Sequence, residues 1–307
     1  MIATRAQPRR RVSLQHREAI TGYLFILPAL LGFVLWYVGP MLYSFWISLH
    51  EWDLLSPPEW AGLGNYRRMW NDPLFTQSLK VTFKFVVISV PLVQIVGFAI
   101  AMLLNMKVRG QAVFRTIYYL PTIAPLVAGS VLWMWIFNSD FGLLNDLLRQ
   151  LGFKKILWLQ EPRWALWVII LFSVWGFGST MVVYLAGLQG VPQELYEAAA
   201  LDGARFRHRL FDVTIPMMSP VILFNTLLGI VFAFQRFTEF YLLSNRVGSP
   251  HNSTLVYSLF LFRQAFISYR MGYAAALAWV LFIIVLVISL IGFRLARGWV
   301  YYEVEGQ

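Results

Sequence analysis

The chain contains no cysteine, so disulfides, thiolate metal sites and cysteine nucleophiles are excluded. Histidine is nearly as scarce: His16, His50, His208 and His251 are scattered, and their spacing does not gather a metal. Charge is thin as well, at 13% of 307 residues, where a soluble domain carries roughly a quarter. No G-x-x-x-x-G-K-[ST] loop is present to cradle nucleotide phosphates, and no H-E-x-x-H or G-x-S-x-G motif offers hydrolytic chemistry.

What remains is apolar. Hydrophobic residues make up 59% of the chain, more than a water-soluble core of this length can hide. The net charge of +10 comes from basic residues in short connections between apolar runs, not from a soluble face with interleaved aromatics. Nucleic acid is therefore not the expected partner; a lipid bilayer is. Charge so placed sets orientation and meets anionic head groups.

Six windows are long enough to cross about 30 Å of hydrocarbon, which takes about 20 helical residues. They are Ala19–Leu49, Val81–Leu104, Ile117–Phe137, Trp164–Leu188, Met218–Leu243 and Ala274–Ala296. Each must be helical, because backbone groups in lipid have no other partners. The expectation is an all-α integral membrane protein with six transmembrane helices. Trp46 and Trp52, Tyr118 and Tyr119, Trp164 and Trp167, and Trp299 and Tyr301 flank the runs, as rings that prefer the head-group layer do. The first run is too long for a signal-peptide core and no A-x-A-like site follows it, so it reads as a retained span. The expected layout is a basic tail 1–18, a first span 19–50, an outer loop 51–77, a core 78–296 of five helices with a connection 189–217, and a tail 297–307.

Orientation follows from the first span. Arg5, Arg9, Arg10, Arg11 and Arg17 precede it and no basic residue follows until Arg67, while Lys107, Arg109 and Arg115 crowd the short connection after the second span. Both termini are expected in the cytoplasm of a multi-pass cell (inner) membrane protein, with outer connections Glu51–Lys80, Asn138–Arg163 and Ser244–Gly272. The second of these carries a short amphipathic helix ended at Gly152, and the third reads as polar and turn-rich. Pro28, Pro40, Pro91, Pro121, Pro125 and Pro220 lie in or beside spans and either shape their helices or serve as hinges.

The connection between the fourth and fifth spans is the most informative. Pro192 suits a first helical position, and Gln193, Glu194 and Glu197 favour a helix start. Ala198, Ala199 and Ala200 are strong helix formers, and Asp202-Gly203 marks a turn. Phe206, Leu210, Phe211 and Val213 then form a helical stripe that runs to Ile215-Pro216 and the membrane. Small side chains let another protein approach the backbone, so the first helix suits insertion into a partner's groove. An amphipathic helix lying on the inner leaflet fits the same residues.

Glu197-Ala198-Ala199, then Asp202-Gly203-Ala204, then Ile215-Pro216 with Pro220, resembles the EAA loop of binding-protein-dependent ABC importer permeases, in the type I sugar-permease branch. Gly62-Leu63-Gly64-Asn65-Tyr66 with Asp72-Pro73, Phe114-Arg115-Thr116 with Leu120-Pro121 and Trp133, Gly142 to Asn145, and Gly272-Tyr273-Ala274-Ala275-Ala276 are similar to the same branch in the same order. Leu243 to Pro250 departs from its glycine-rich pattern. The resemblance implies the type I permease fold, with a cytoplasmic coupling helix between helices 4 and 5. It implies ATPase coupling through Glu197, Ala198, Ala199, Ala200, Leu201, Asp202, Gly203 and Ala204. It also implies a second homologous permease as heterodimer partner, two cytoplasmic ATP-binding subunits and an extracytoplasmic solute-binding protein. ATP and Mg then belong to the partner ATPases, and this chain is a transport subunit, not an enzyme.

Polar groups inside the spans are the candidates for contact with solute. Gln94 and Asn225 lie deep and serve either as packing glue or as sugar hydrogen-bond partners. Trp133, Trp135, Trp175 and Tyr184 are the rings that could stack on sugar C–H faces. Lys80 and Lys84 can snorkel from the mouth of the second span. Arg236 and Glu239, three apart, can pair as helix neighbours, structurally or on a substrate. The reading is a sugar-importer permease. Its rivals are a permease for glycerol phosphate or another small solute, an ion-coupled secondary transporter, and a membrane-embedded enzyme.

Overall fold

The computed structural model describes residues 14–106, 109–296, 298 and 300, with side chains from residue 18 onward. Most of the basic tail, Lys107, and Trp299 and Tyr301 of the C-terminal tail lie outside the described residues. Among the described residues four unbroken helices are long and apolar enough to cross a membrane, and two bent pairs, each counted as one span, bring the number to six.

The first span is α1 (Leu14–Phe33), a π-turn Val34–Val38 and α2 (Gly39–Ser48) in one unbroken run. Pro40 has no N–H to give the Trp36 carbonyl, and the Gly39 N–H bonds five residues back to Val34 instead. Only the α2 half is packed: Phe45 meets Trp279 edge-on at 5.1 Å. The α1 half stands off the bundle with its side chains exposed. A two-stranded ribbon, β1 (His50–Glu51) and β2 (Glu59–Trp60), and α3 (Gly64–Trp70) lead to the second span.

That span, α4 (Pro73–Asn105), has 33 residues, about 50 Å of helix, and starts well before the expected Val81. Asp72 accepts the Leu74 N–H at 2.9 Å as N-cap and Pro73 opens the helix, so its first turns project into the stretch read as outer loop 51–77.

The third span is not straight. α5 (Gln111–Ile123) and α6 (Leu126–Ile136) meet at 95°. Neither alone, at about 20 and 16 Å, crosses the hydrocarbon. Pro125 forces Ala124 into the extended region (ψ 135°), which stops α5 there. α7 (Leu143–Gln150) follows, ended as expected by Gly152 in the left-handed region. The fourth span is α8 (Pro162–Trp175) and α9 (Gly178–Gln189), bent by 42°.

After α10 (Gln193–Leu201), the fifth span begins earlier and ends earlier than Met218–Leu243. α11 (Phe206–His208), a π-turn Arg209–Thr214 and α12 (Ile215–Phe234) form one 29-residue helix. Again the π-turn stands before a proline, and the Ile215 N–H reaches Leu210. The helix closes at Gln235, where the Gln235 and Arg236 N–H groups bond only three residues back, to Phe232 and Ala233, and the Arg236 carbonyl beyond it accepts from the Ser258 hydroxyl. α13 (Thr238–Leu243) is a separate short helix.

The third outer connection is polar and turn-rich only to Thr254. Leu255, Val256 and then α14 (Tyr257–Phe262) are buried in the core, followed by a π-turn Arg263–Ile267. The Tyr257 N–H donates to Thr82 Oγ1 at 2.8 Å and its hydroxyl to the Leu277 carbonyl at 2.8 Å, so α14 is pinned between α4 and the last span, α15 (Met271–Ala296). Gly272 lets that span meet the first: a Cβ there would overlap the His50 carbonyl oxygen. Met271 N–H bonds Trp52 O at 2.9 Å, and Asn65 Nδ2 donates to Ser48 O and His50 O.

Two apolar clusters result. The larger joins α4, α8 and α13–α15 at the ribbon end, around Phe85, Ile169, Phe240, Phe260 and Leu277. The smaller joins Ala101, Leu104, Met181, Leu185, Leu188 and Met218 at the end that carries α10.

Candidate functional site

α10 is shaped by local signals alone. Pro192 stands one position before the first helical residue, as N-cap with ψ 130°, and not inside the first turn. Glu194 occupies that turn, where the helix dipole favours it. At the other end Gly203 adopts φ +75°; its N–H bonds Ala200 O at 3.1 Å and the Ala204 N–H bonds Ala199 O at 2.9 Å. This paired closure satisfies the last carbonyls and fixes where the helix stops.

No residue of α10 is buried. Glu197, Ala198, Ala200, Leu201, Asp202 and Gly203 are exposed, Ala199 and Ala204 partly so, and Leu201 at the tip is 90% exposed. Its exposed residues mix Gln193, two acids, two alanines and the leucines Leu195 and Leu201, whereas an interfacial helix needs a broad apolar stripe. One side is rooted: the Tyr196 hydroxyl and Thr214 Oγ1 are 3.1 Å apart, and Thr214 donates to the Arg209 carbonyl at 3.0 Å. A push on α10 therefore passes into the π-turn at the foot of the fifth span. Among the described residues no ion pair engages Glu194, Glu197, Asp202, Arg205, Arg207 or Arg209.

The second place is inside the membrane. Tyr184 of α9 donates to Gln94 Oε1 of α4 at 2.5 Å, and Gln94 Nε2 donates to the Asn225 carbonyl of α12 at 3.0 Å. Gly229 makes room, since a Cβ there would lie 3.0 Å from Gln94 Nε2. Phe98 covers the Tyr184 ring edge-on at 5.2 Å. The Asn225 side-chain Nδ2 is buried without a hydrogen-bond partner among the described residues, an arrangement that costs about 1–3 kcal/mol and leaves a donor ready for an acceptor.

The expected aromatic set divides. Tyr184 joins the polar trio. Trp133 and Trp175, with ring centroids 6.1 Å apart, gather with Phe137 and Phe172. Trp135 stands apart, 49% exposed, on a cavity of about 410 Å³ with Asn138, Gln160, Leu243 and Asn245. Arg236 and Glu239 do pair, at 2.6 Å with Glu239 only 1% exposed, but across the break before α13 and not as neighbours on one helix. Sequence reasoning missed the buried α14. Its signal was the apolar run Leu255–Phe262, too short to span a membrane.

A family model described as binding-protein-dependent transport system inner membrane component matches residues 95–298. The chain is 44% identical over 292 residues to the probable ABC transporter permease protein YesP of Bacillus subtilis (strain 168), covering 94% of both. It is 37% identical over 292 residues to the lactose transport system permease protein LacF of Rhizobium radiobacter, covering 94% of this chain and 97% of that one. Among solved structures, a chain of a bacterial alginate ABC transporter, in complex with an alginate pentasaccharide-bound periplasmic protein, superposes with a TM-score of 0.81 at 21% identity. That match covers 92% of this chain and 96% of the other, and it is a likeness of fold.

Proposed function

The chain belongs to the family of binding-protein-dependent transport system inner membrane components, the permease subunits of ABC transporters, and we propose that it forms half of the translocation pathway of an ATP-driven sugar importer. The observation that carries this reading is α10: a helix between the fourth and fifth spans, closed at its C-terminus by the Gly203 turn, bare on one face and rooted on the other. The sugar class is supported by a relative whose name specifies lactose.

In this reading residues 78–296 are the transport core and 189–217 the coupling loop, with both termini and α10 in the cytoplasm. Two ATP-binding subunits, which hold the ATP and Mg, grip Glu197 to Ala204 of this chain and the equivalent segment of a second homologous permease. An extracytoplasmic solute-binding protein delivers the sugar to the opposite face. When the ATPases close, α10 moves as a body, and Tyr196 and Thr214 carry the load into the helix Phe206–Phe234. Asn225 lies on that helix, about 16 Å beyond Thr214. The coupling foot and the unpaired amide therefore move together. Gln94, Tyr184 and Asn225 offer the sugar hydrogen bonds, and Trp133 and Trp175 offer flat faces nearer the other end.

The test is uptake by the assembled transporter in proteoliposomes. Glu197→Ala is expected to abolish ATP-driven uptake while membrane insertion and yield stay normal; undiminished uptake overturns the coupling role. Competition by unlabelled mono- and oligosaccharides against glycerol phosphate identifies the solute class.

A further inference from the structure

At the α10 end of the bundle lies a slot of about 580 Å³, lined in part by the Tyr196 and Thr214 that root α10, to which the transport reading assigns no ligand. One wall is Ala99, Met102 and Leu103, an i, i+3, i+4 face in the last two turns of α4, with Met106 just past its end. The other is Phe206, Arg209, Leu210 and Thr214 of the fifth-span helix, with Leu188 behind and Tyr196 of α10 as floor. The lining is mostly apolar, with Asn105, Tyr196 and Thr214 as neutral polar groups and Arg209 as its one cation. Arg209 Nε is buried and finds no hydrogen-bond acceptor among the described residues, which is costly for a guanidinium unless something supplies one. No ion pair neutralises Arg209 or its neighbours Arg205 and Arg207 among the described residues.

We infer that this slot holds an anionic phospholipid of the inner leaflet, with an acyl chain against α4 and the phosphate on Arg209. Three observations select that occupant. The slot stands where the spans end, at head-group depth. Its walls suit hydrocarbon, and its size is in the range that accommodates a large part of a small amphiphile. Its single charge is an arginine, whose planar fork matches phosphate oxygens, and basic pockets at this edge of a membrane take acidic head groups. Leu103, Met106 and Phe206 are largely exposed, so the slot is open sideways to lipid. Because Tyr196 is its floor, the lipid props α10 from beneath. Assignment to the inner leaflet rests on the orientation proposed above; the slot itself does not.

The test uses the assembled transporter, extracted in mild detergent and exchanged into phosphatidylglycerol or phosphatidylcholine before native mass spectrometry. Phosphatidylglycerol is expected to remain bound through stepwise delipidation. Arg209→Gln and the slot-filling Leu103→Trp lower its retention about tenfold, Arg209→Lys lowers it less, and Arg205→Gln, outside the slot, leaves it unchanged. Equal retention of phosphatidylcholine, or wild-type retention by both Arg209→Gln and Leu103→Trp, overturns the proposal. So does a wild-type complex holding no lipid, which means that a partner subunit fills the slot. Orientation is read separately: Arg205→Cys, in a chain otherwise free of cysteine, is labelled in inverted vesicles and not in intact cells if the leaflet is right.

Discussion

α10 and α14 are both short helices in connections between spans, at opposite ends of the bundle, and they are held by opposite means. α10 is fixed by its own C-terminal closure and by one tyrosine, with no buried residue. In α14 Tyr257, Leu259 and Phe260 are fully buried, and hydrogen bonds tie Tyr257 to Thr82 and Leu277. A helix that keeps its shape without its neighbours can be displaced as a unit. One whose shape is its neighbours' packing cannot move without opening the core. The first suits a moving contact with another subunit, the second a fixed plug at the ribbon end of the bundle.

This contrast can be broken in graded steps. Tyr257→Ala should cost most, about 3–5 kcal/mol for a buried aromatic, together with the lost hydrogen bond to the Leu277 carbonyl. The expected result is a lowered thermal midpoint of the purified complex and loss of assembly. A well-folded, well-assembled variant would show that α14 is not the fixed element. Gly203→Val comes next. Nothing lies within 4 Å of the added Cβ, so the cost is the left-handed backbone alone, about 1–2 kcal/mol. Uptake should fall to background with a near-normal melting curve, and Gly203→Asn should recover part of it. If Gly203→Val melts the bundle as Tyr257→Ala does, the independence of α10 is wrong. Tyr196→Phe should be milder, about 0.5–1.5 kcal/mol, and should raise the ATP hydrolysed per solute moved without changing assembly.

The smallest effect concerns a third locally built element, the turn at Asp53. The Ser56 N–H and hydroxyl and the Leu55 N–H hold its carboxylate down at about 2. The folded value lies below the ordinary 3.8, so the turn is fully stabilised above about pH 4 and loses that stabilisation as pH falls through about 2. Amide exchange at Leu55 and Ser56 should therefore be protected alike at pH 7 and pH 5, and Asp53→Asn should abolish the difference that appears below pH 4.

The same contrast explains what could be read from the chain. Spans follow from hydropathy, and α10 from Pro192, the alanines and Asp202-Gly203, because those signals are local. Pro125 marked a break but not its 95°, which depends on how α6 packs beyond it. The end of the fifth span was hidden, because neither glycine nor proline marks Gln235 and Arg236. α14 was hidden for a related reason: an apolar run buried in protein has the composition of one facing lipid. Gln94 and Asn225 were legible as polar residues at depth. Which aromatics would join them was not, since depth along a span does not give direction around it, and only Tyr184 pointed that way.

The π-turns before Pro40 and Pro216 each hold one residue more than α-helical spacing needs, so every side chain downstream is rotated by about 100° from where an ideal α-helix would put it. Deleting one residue from Arg209–Thr214 would shorten the fifth-span helix by only about 1.5 Å, yet it would swing α10 and its root to another azimuth about the axis that carries Asn225. The angular phase between the two sites is thus written in a single surplus amino acid.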